Sequence, residues 1–148
     1  EWIQDTQKEF NRYIRLRGHS LGHTCISCQK PRHEIEGAQG WKPGGCWDAG
    51  HFVGVGANET LRFTEDNCWL QCKSCNAGEG KYARKSQTVK VAYEANLRAL
   101  IGDERVDALL GPHPLAKWTI PELKEMRNSY RARANELAKV ETLEQAPC

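Results

Sequence analysis

The 148-residue chain contains no apolar run near the roughly 20 residues that a membrane-spanning helix needs. Its first ten residues, EWIQDTQKEF, are charged, unlike a secretory leader. No internal repeat or low-complexity segment is present, which sets aside solenoid and linker-like architectures. Charge of one sign is scarce too. A formal net charge of +2 and a pI near 8.2 are too small to argue for a nucleic-acid partner by themselves.

What remains is 39% hydrophobic and 27% charged residues, the composition of one soluble domain with a modest core, or of a small motif carrying helical additions. Seven cysteines are the informative excess. An odd number cannot close entirely into intramolecular disulfides, and clustered cysteines in a reducing compartment more often ligate metal. Cys25-Ile26-Ser27-Cys28 and Cys72-Lys73-Ser74-Cys75 are two CxxC knuckles. Two such knuckles supply a closed tetrahedral site for structural zinc, with Cys25, Cys28, Cys72 and Cys75 as ligands. Two disulfides or two redox motifs are the alternatives. Cys46 and Cys68 have no knuckle partner and read as buried apolar cysteines, and Cys148 sits in a polar tail.

Hydrophobic periodicity predicts an amphipathic helix over residues 6–18, with Phe10 and Ile14 inward, Lys8, Arg12, Arg15 and Arg17 outward, and Gly18 as its end. Residues 36–45, EGAQGWKPGG, read as a glycine-rich loop. A hairpin follows, with strands near residues 46–53 and 61–63 joined by GVGANET. A helix begins in the second knuckle, and a longer one carries Val89, Tyr93, Asn96, Leu97, Leu100 and Ile101 up to Gly102. Asp103 caps a short helix holding Val106, Leu109 and Leu110. Thr119 and Glu122 form a capping box for a last helix with Leu123, Met126, Tyr130 and Leu137 on one stripe.

The chemistry is concentrated beside the knuckles. Asp48 and His51 lie three apart in CWDAGHFVGVG, and Asn76 directly follows Cys75. Folding the hairpin onto the helix start brings them towards one another. Aspartate and asparagine oxygens suit a hard divalent cation such as Mg²⁺, and a histidine titrating near ~6.5 can take a proton from water. Carboxylate, amide oxygen and imidazole are together the parts for metal-assisted phosphodiester hydrolysis.

The motifs CISC, DAGHF and LRFTEDNCWLQCKSCN, with the later LIG, resemble the lambdoid-phage NinG (Rap) recombination-nuclease family over most of the chain. Its core is similar to the zinc-bearing ββα-metal, or HNH-type, nucleases, including phage endonuclease VII. The resemblance implies an α+β fold: a small zinc-stabilised ββα-metal core, residues 25–84, with helical extensions at 1–24 and 85–140 and a tail at 141–148. It implies zinc on the four knuckle cysteines, Asp48 and Asn76 as ligands of a catalytic Mg²⁺ or Mn²⁺, and His51 as general base. Asn67 matches the middle asparagine of the HNH pattern, which bridges the hairpin loop. In common HNH sequences the aspartate stands immediately before the histidine, whereas Gly50 does here, and endonuclease VII shares the Asp-x-x-His spacing. The stretch HEIEGAQGWKPGG is longer than usual for the family.

The resemblance further implies an endonuclease of branched DNA, such as Holliday junctions, D-loops or flaps, acting in the cytoplasm of a bacterial host as a homodimer with no membrane partner. DNA contact is expected from Lys73, Lys81, Arg84, Lys85, Lys90 and Arg98, a local basic excess over Glu79 and Glu94, and from Arg62. No base-reading motif is evident, so shape recognition is expected. Two rivals stay open: a non-catalytic zinc-ribbon DNA-binding module, and an HNH endonuclease acting on linear duplex DNA.

Overall fold

The computed structural model describes residues 1–39, 45–56, 59–78 and 86–141. At its centre two antiparallel strands, β1 (Trp47–His51) and β2 (Cys68–Cys72), form a ribbon whose register runs from Trp47↔Cys72 to His51↔Cys68. Around it, among the described residues, stand six helices: α1 (Trp2–Ser20), α2 (Arg32–Gln39), α3 (Lys73–Gly78), α4 (Ser86–Ile101), α5 (Asp103–Leu110) and α6 (Ile120–Glu141). None is long and apolar enough to cross a membrane.

Side chains alternate along a strand, so the ribbon has two faces to bury. On one, α1 presents Phe10, Tyr13 and Ile14 to Cys68 and Phe63, and α6 adds Leu123, Tyr130 and Ala134. Helices α1 and α6 run in the same direction: the Thr6 hydroxyl donates to the Leu123 carbonyl at 2.9 Å, and Arg12 Nη1 donates to Asn135 Oδ1 at 2.8 Å. Phe10 meets Tyr130 edge to face at 5.0 Å. On the other face, Tyr93 and Leu97 of α4 and Val106 and Leu109 of α5 close over Trp69, Leu61 and Ile26. Each such fully buried side chain contributes about 1.5–3 kcal/mol of transfer free energy. The Tyr93 hydroxyl also donates to the Gly50 carbonyl at 2.6 Å, fastening α4 to β1.

Several sequence-based expectations need correction. The second strand is not at 61–63 but at Cys68–Cys72. Leu61 and Phe63 are spaced like strand neighbours, yet Leu61 enters the α4 cluster and Phe63 the α1 cluster. The real strand is buried at all five positions and therefore shows no alternation to read. Residues 36–39 belong to α2 rather than to a glycine-rich loop: Pro31 opens the helix, Arg32 pairs with Glu36 at 3.1 Å one turn on, and Ile35 is buried. Residues 40–44 of that stretch lie outside the described residues. Asp103 is not a cap, for Gly102 holds the cap position and Asp103 instead accepts from Arg98 at 3.1 Å. Leu110 faces outward at 52% exposure. The capping box is present, with Thr119 N–H on Glu122 Oε2 at 2.9 Å and Glu122 N–H on Thr119 Oγ1 at 3.3 Å.

Gly18 does not end α1, which continues to Ser20. It marks the point where helix and ribbon cross: a β-carbon there would stand 2.7 Å from Leu70 Cβ. Because the obstructing atom is a β-carbon, it cannot swing aside. Gly18→Ala is expected to cost about 1–3 kcal/mol by overpacking, read as a lower urea midpoint at unchanged slope.

Candidate metal centre and adjoining polar site

The four knuckle sulfurs of Cys25, Cys28, Cys72 and Cys75 lie within 4.8 Å of one another, and none of the four is in a disulfide. Four thiolates at ~2.3 Å around one ion would stand about 3.8 Å apart, so the cluster can hold a metal such as zinc with small adjustments. The donors are oriented for it. Cys25 Sγ accepts the backbone N–H of Cys28 at 3.5 Å and of Cys72 at 3.4 Å. With the Cys72 thiol also donating to it, these bonds bring the Cys25 thiol down to about 5, favouring the anionic form a metal binds. Burial, with the neighbouring Cys25 charge, pushes Cys75 up to about 12, and the bond to Cys25 raises Cys72 as well. Metal binding to such thiols displaces their protons, so affinity rises with pH.

The first knuckle belongs to no strand or helix and is fixed from two sides. Ile26 N–H donates to the Leu70 carbonyl at 2.9 Å, and Asn96 Nδ2 donates to the carbonyls of Ile26 at 2.8 Å and Ser27 at 3.2 Å. Asn96 is a structural residue that sequence reasoning left within an apolar stripe. Its signal was the single amide among Val89, Tyr93, Leu97 and Ile101. Cys68 is fully buried, and burial raises its thiol well above the ordinary range. Cys46 is buried at 1% exposure too but, contrary to the expectation of a free apolar cysteine, it is disulfide-bonded.

The second knuckle closes the ribbon and opens α3, which carries Asn76 onto β1. Asn76 Nδ2 donates to Asp48 Oδ2 at 3.0 Å, and Lys73 Nζ sits 2.9 Å from Asp48 Oδ1. Asp48 and Lys73 side chains keep 29% and 26% exposure, so the group is reachable from solvent. Asp48 and Asn76 are therefore brought together. His51 is not beside them. Strand alternation puts Asp48 on the α3 and α4 side, while His51 stacks on Phe10 of α1 with ring centroids 6.5 Å apart. The separation along the strand is about 10 Å.

His51 Nε2 lies 3.1 Å from the Arg62 carbonyl. A carbonyl only accepts, so Nε2 carries the proton and Nδ1 is the basic nitrogen. Burial lowers the His51 pKa below its ordinary 6.5, outweighing the Arg62 carbonyl, which raises it; the Arg62 charge lowers it further. The ring is neutral at pH 7. Asn67, 0% exposed, bridges the connection between the strands: its Oδ1 accepts Val53 N–H at 2.8 Å, and its Nδ2 donates to the carbonyls of Val53 at 3.0 Å and Leu61 at 3.4 Å.

The expected basic surface is redistributed. Arg62 is not on a strand but follows the single turn Glu59–Leu61, and it binds Glu59 at 3.1 Å. Lys73 faces Asp48, and Arg98 is held by Glu94, Asp103 and Asp107 at 3.1, 3.1 and 2.8 Å. Lys90 is exposed, and Lys81, Arg84 and Lys85 lie outside the described residues.

Ribbon, following helix and four-thiol cluster define a small cysteine-knuckle protein of mixed helix and antiparallel sheet. The chain belongs to the NinG family: the family described as Bacteriophage Lambda NinG protein matches it over residues 1–141. Protein ninG of Escherichia phage lambda is 35% identical to it over 136 residues, which is 92% of this chain and 57% of that protein. Protein ninG of Escherichia phage 933W is 33% identical over 136 residues, covering 92% of this chain and 58% of that protein. The chain thus spans a little over half the length of these relatives. No solved structure matches it.

Structural zinc contributes about 10–16 kcal/mol of binding free energy that is coupled to folding. Elemental analysis is expected to find one zinc per chain. Cys75→Ser should lose it along with cooperative unfolding, and a folded protein with no zinc would remove the metal centre.

Proposed function

We propose that the chain is a metal-dependent DNA endonuclease with a ββα-metal core, β1–β2–α3, acting on branched recombination intermediates. The observation that carries this reading is the 3.0 Å contact between Asn76 and Asp48, held by a helix that starts inside a cysteine knuckle. Clamping the backbone at Cys75 fixes the residue after it, and positioning at this precision is what a catalytic constellation needs.

The donor set fits a hard cation. Lys73 Nζ already places a positive charge at 2.9 Å on one Asp48 oxygen, so the carboxylate is aimed at a cation. The Asn76 amide, turned over, offers Oδ1 in place of Nδ2. Two protein oxygens with water and phosphate completing the shell is a usual arrangement for Mg²⁺. A divalent ion there would neutralise charge on the scissile phosphate and its leaving oxygen.

His51 would remove the proton from the attacking water through Nδ1, its ring being held neutral by burial and oriented by the Arg62 carbonyl. Asp48 and His51 straddle β1, an edge strand. In-line displacement asks for this disposition, because the nucleophile enters opposite the leaving oxygen. A phosphodiester crossing the strand edge meets the base on one side and the carboxylate on the other. Paired cuts across a junction need two such sites, which a homodimer supplies, in the host cytoplasm where recombining phage DNA lies. The rival reading, a non-catalytic DNA-binding module, draws on the Lys73–Asp48 ion pair, which closes the carboxylate.

A gel assay on matched junction and linear DNA, with and without Mg²⁺, separates these readings. His51→Ala is expected to fold, keep its metal and bind DNA, yet cleave about 10²- to 10⁴-fold more slowly. Protonating the buried ring costs solvation, so wild-type cleavage should rise with pH through a point below 6.5 and be level by neutrality. The stability contributed by the neutral ring is complete above 6.5 and is lost as pH falls through the folded pKa. Cleavage by His51→Ala at the wild-type rate would end the assignment. Asn76→Ala should raise the Mn²⁺ concentration for half-saturation, followed by electron paramagnetic resonance. Lys73→Met should lower it by removing the competing ammonium.

A further inference from the structure

Of the four cationic side chains expected on the outer face of α1, two are engaged in packing, Arg17 having turned inward. Arg17 lies over the Trp69 ring at 4.2 Å and donates to the Cys68 carbonyl at 2.9 Å, and Arg12 bonds Asn135 on α6. Lys8 and Arg15 are left, and both line a groove of about 370 Å³ with Gln4, Gln7, Asn11 and Arg62. All six lining side chains carry hydrogen-bonding groups, three are cationic and none is acidic.

The groove is organised internally. Gln7 Oε1 accepts Arg62 Nη1 at 3.2 Å, and Gln7 Nε2 donates to Asn11 Oδ1 at 2.8 Å. That relay uses up acceptors and leaves donors. Arg62 Nη2 pairs with Glu59 at 3.1 Å, while its Nε is buried with no acceptor. Arg15 has no carboxylate within ion-pairing distance among the described residues. Burial pushes it below its ordinary value against the more distant attraction of Asp48. A half-buried guanidinium with no ion-pair partner among the described residues, beside a second that is only partly satisfied, suits an anionic ligand.

The shape argues for a chain of anions rather than a single one. From Gln4 to Arg15 the helix face extends about 16 Å, and the phosphates of one duplex strand recur every ~3.4 Å of axis. The face therefore follows about four or five nucleotides. Its location argues for the destination. Arg62, which lines the groove through its side chain, holds His51 through its carbonyl, and Arg15 lies within electrostatic reach of Asp48.

We propose that this α1 groove binds the DNA sugar–phosphate backbone, with Lys8, Arg15 and Arg62 on phosphate oxygens and Gln4, Gln7 and Asn11 as neutral donors, and leads one strand to the edge of β1. The destination rests on the nuclease reading; the binding does not. Arginine, lysine, glutamine and asparagine are the side chains that contact phosphates without reading bases.

The test is fluorescence anisotropy of a labelled four-way DNA junction with the metal-loaded full chain, without Mg²⁺, across a sodium chloride series. Lys8→Ala with Arg15→Gln should weaken binding about 10- to 100-fold and flatten the slope of log affinity against log salt by roughly 1.8. The same double variant should melt no lower than wild type, since a half-buried guanidinium with no ion-pair partner among the described residues has been removed. Lys124→Ala with Lys139→Ala on α6 changes the charge equally and should keep the slope. An unchanged slope in the groove variant, or an equal loss in the α6 control, would overturn the proposal. A wild type that never cleaves, but whose groove variant still loses binding, would sink the nuclease reading and leave the groove in place.

Discussion

The cluster of four thiols is the constraint on which the rest of this structure depends. It joins a knuckle with no regular structure of its own to the end of a strand and the start of a helix, closing a separation of 47 residues from Cys25 to Cys72. Such a closure costs conformational entropy that a two-stranded ribbon could not offset, because an isolated hairpin is marginal in water. With the knuckles together, β2 has its ends fixed, Trp47 and Leu70 gain a wall formed by Cys25 and Ile35, and α3 leaves the strand in a set direction. The α4 amide of Asn96 then ties the free side of the first knuckle, so the α4 layer is anchored at the same point.

From that point the polar chemistry follows by geometry. A helix leaving the strand at Lys73 presents its fourth residue, Asn76, back to β1, where Asp48 waits opposite Gln71. The two faces of the ribbon then receive different environments. One side has a carboxylate, an amide and an ammonium at partial exposure; the other has an imidazole packed on Phe10 and held by a backbone carbonyl. Only a strand with an open edge lets one extended ligand touch both. Gly50, between Asp48 and His51, keeps that strand thin, since any β-carbon would meet the buried Gln71 amide at 2.0 Å.

The sequence made some of this legible and concealed the rest for physical reasons. Cysteine spacing announced the four-thiol cluster, because two CxxC pairs commonly converge on one point, and the box of Thr119 and Glu122 announced the start of α6 because both partners are local. The second strand was hidden, since a segment buried on both faces carries no alternation, while Leu61 and Phe63 imitate one by their spacing although they enter different clusters. Helix α2 was masked by the glycines after it, and Gly18 looked like a stop when it is a crossing. Pairing of side chains across long distances was the least visible. That Lys73 faces Asp48, or that Arg17 lies over Trp69, depends on which way a helix leaves a knuckle or crosses a ribbon.

The parallel pairing of α1 with α6 gives the chain an unusual history on the ribosome. Every residue needed for the ribbon and its cysteines has been synthesised once residue 78 has emerged, but the hydrogen bond from Thr6 to Leu123 spans 117 positions. At about 5–20 residues per second, the apolar stripe of Phe10, Tyr13 and Ile14 waits several seconds for the helix that covers it. Until then the Phe10 face lacks its α6 partners, Leu123, Tyr130 and Ala134. Helix α6 therefore covers an apolar face that α1 presents from 117 positions upstream.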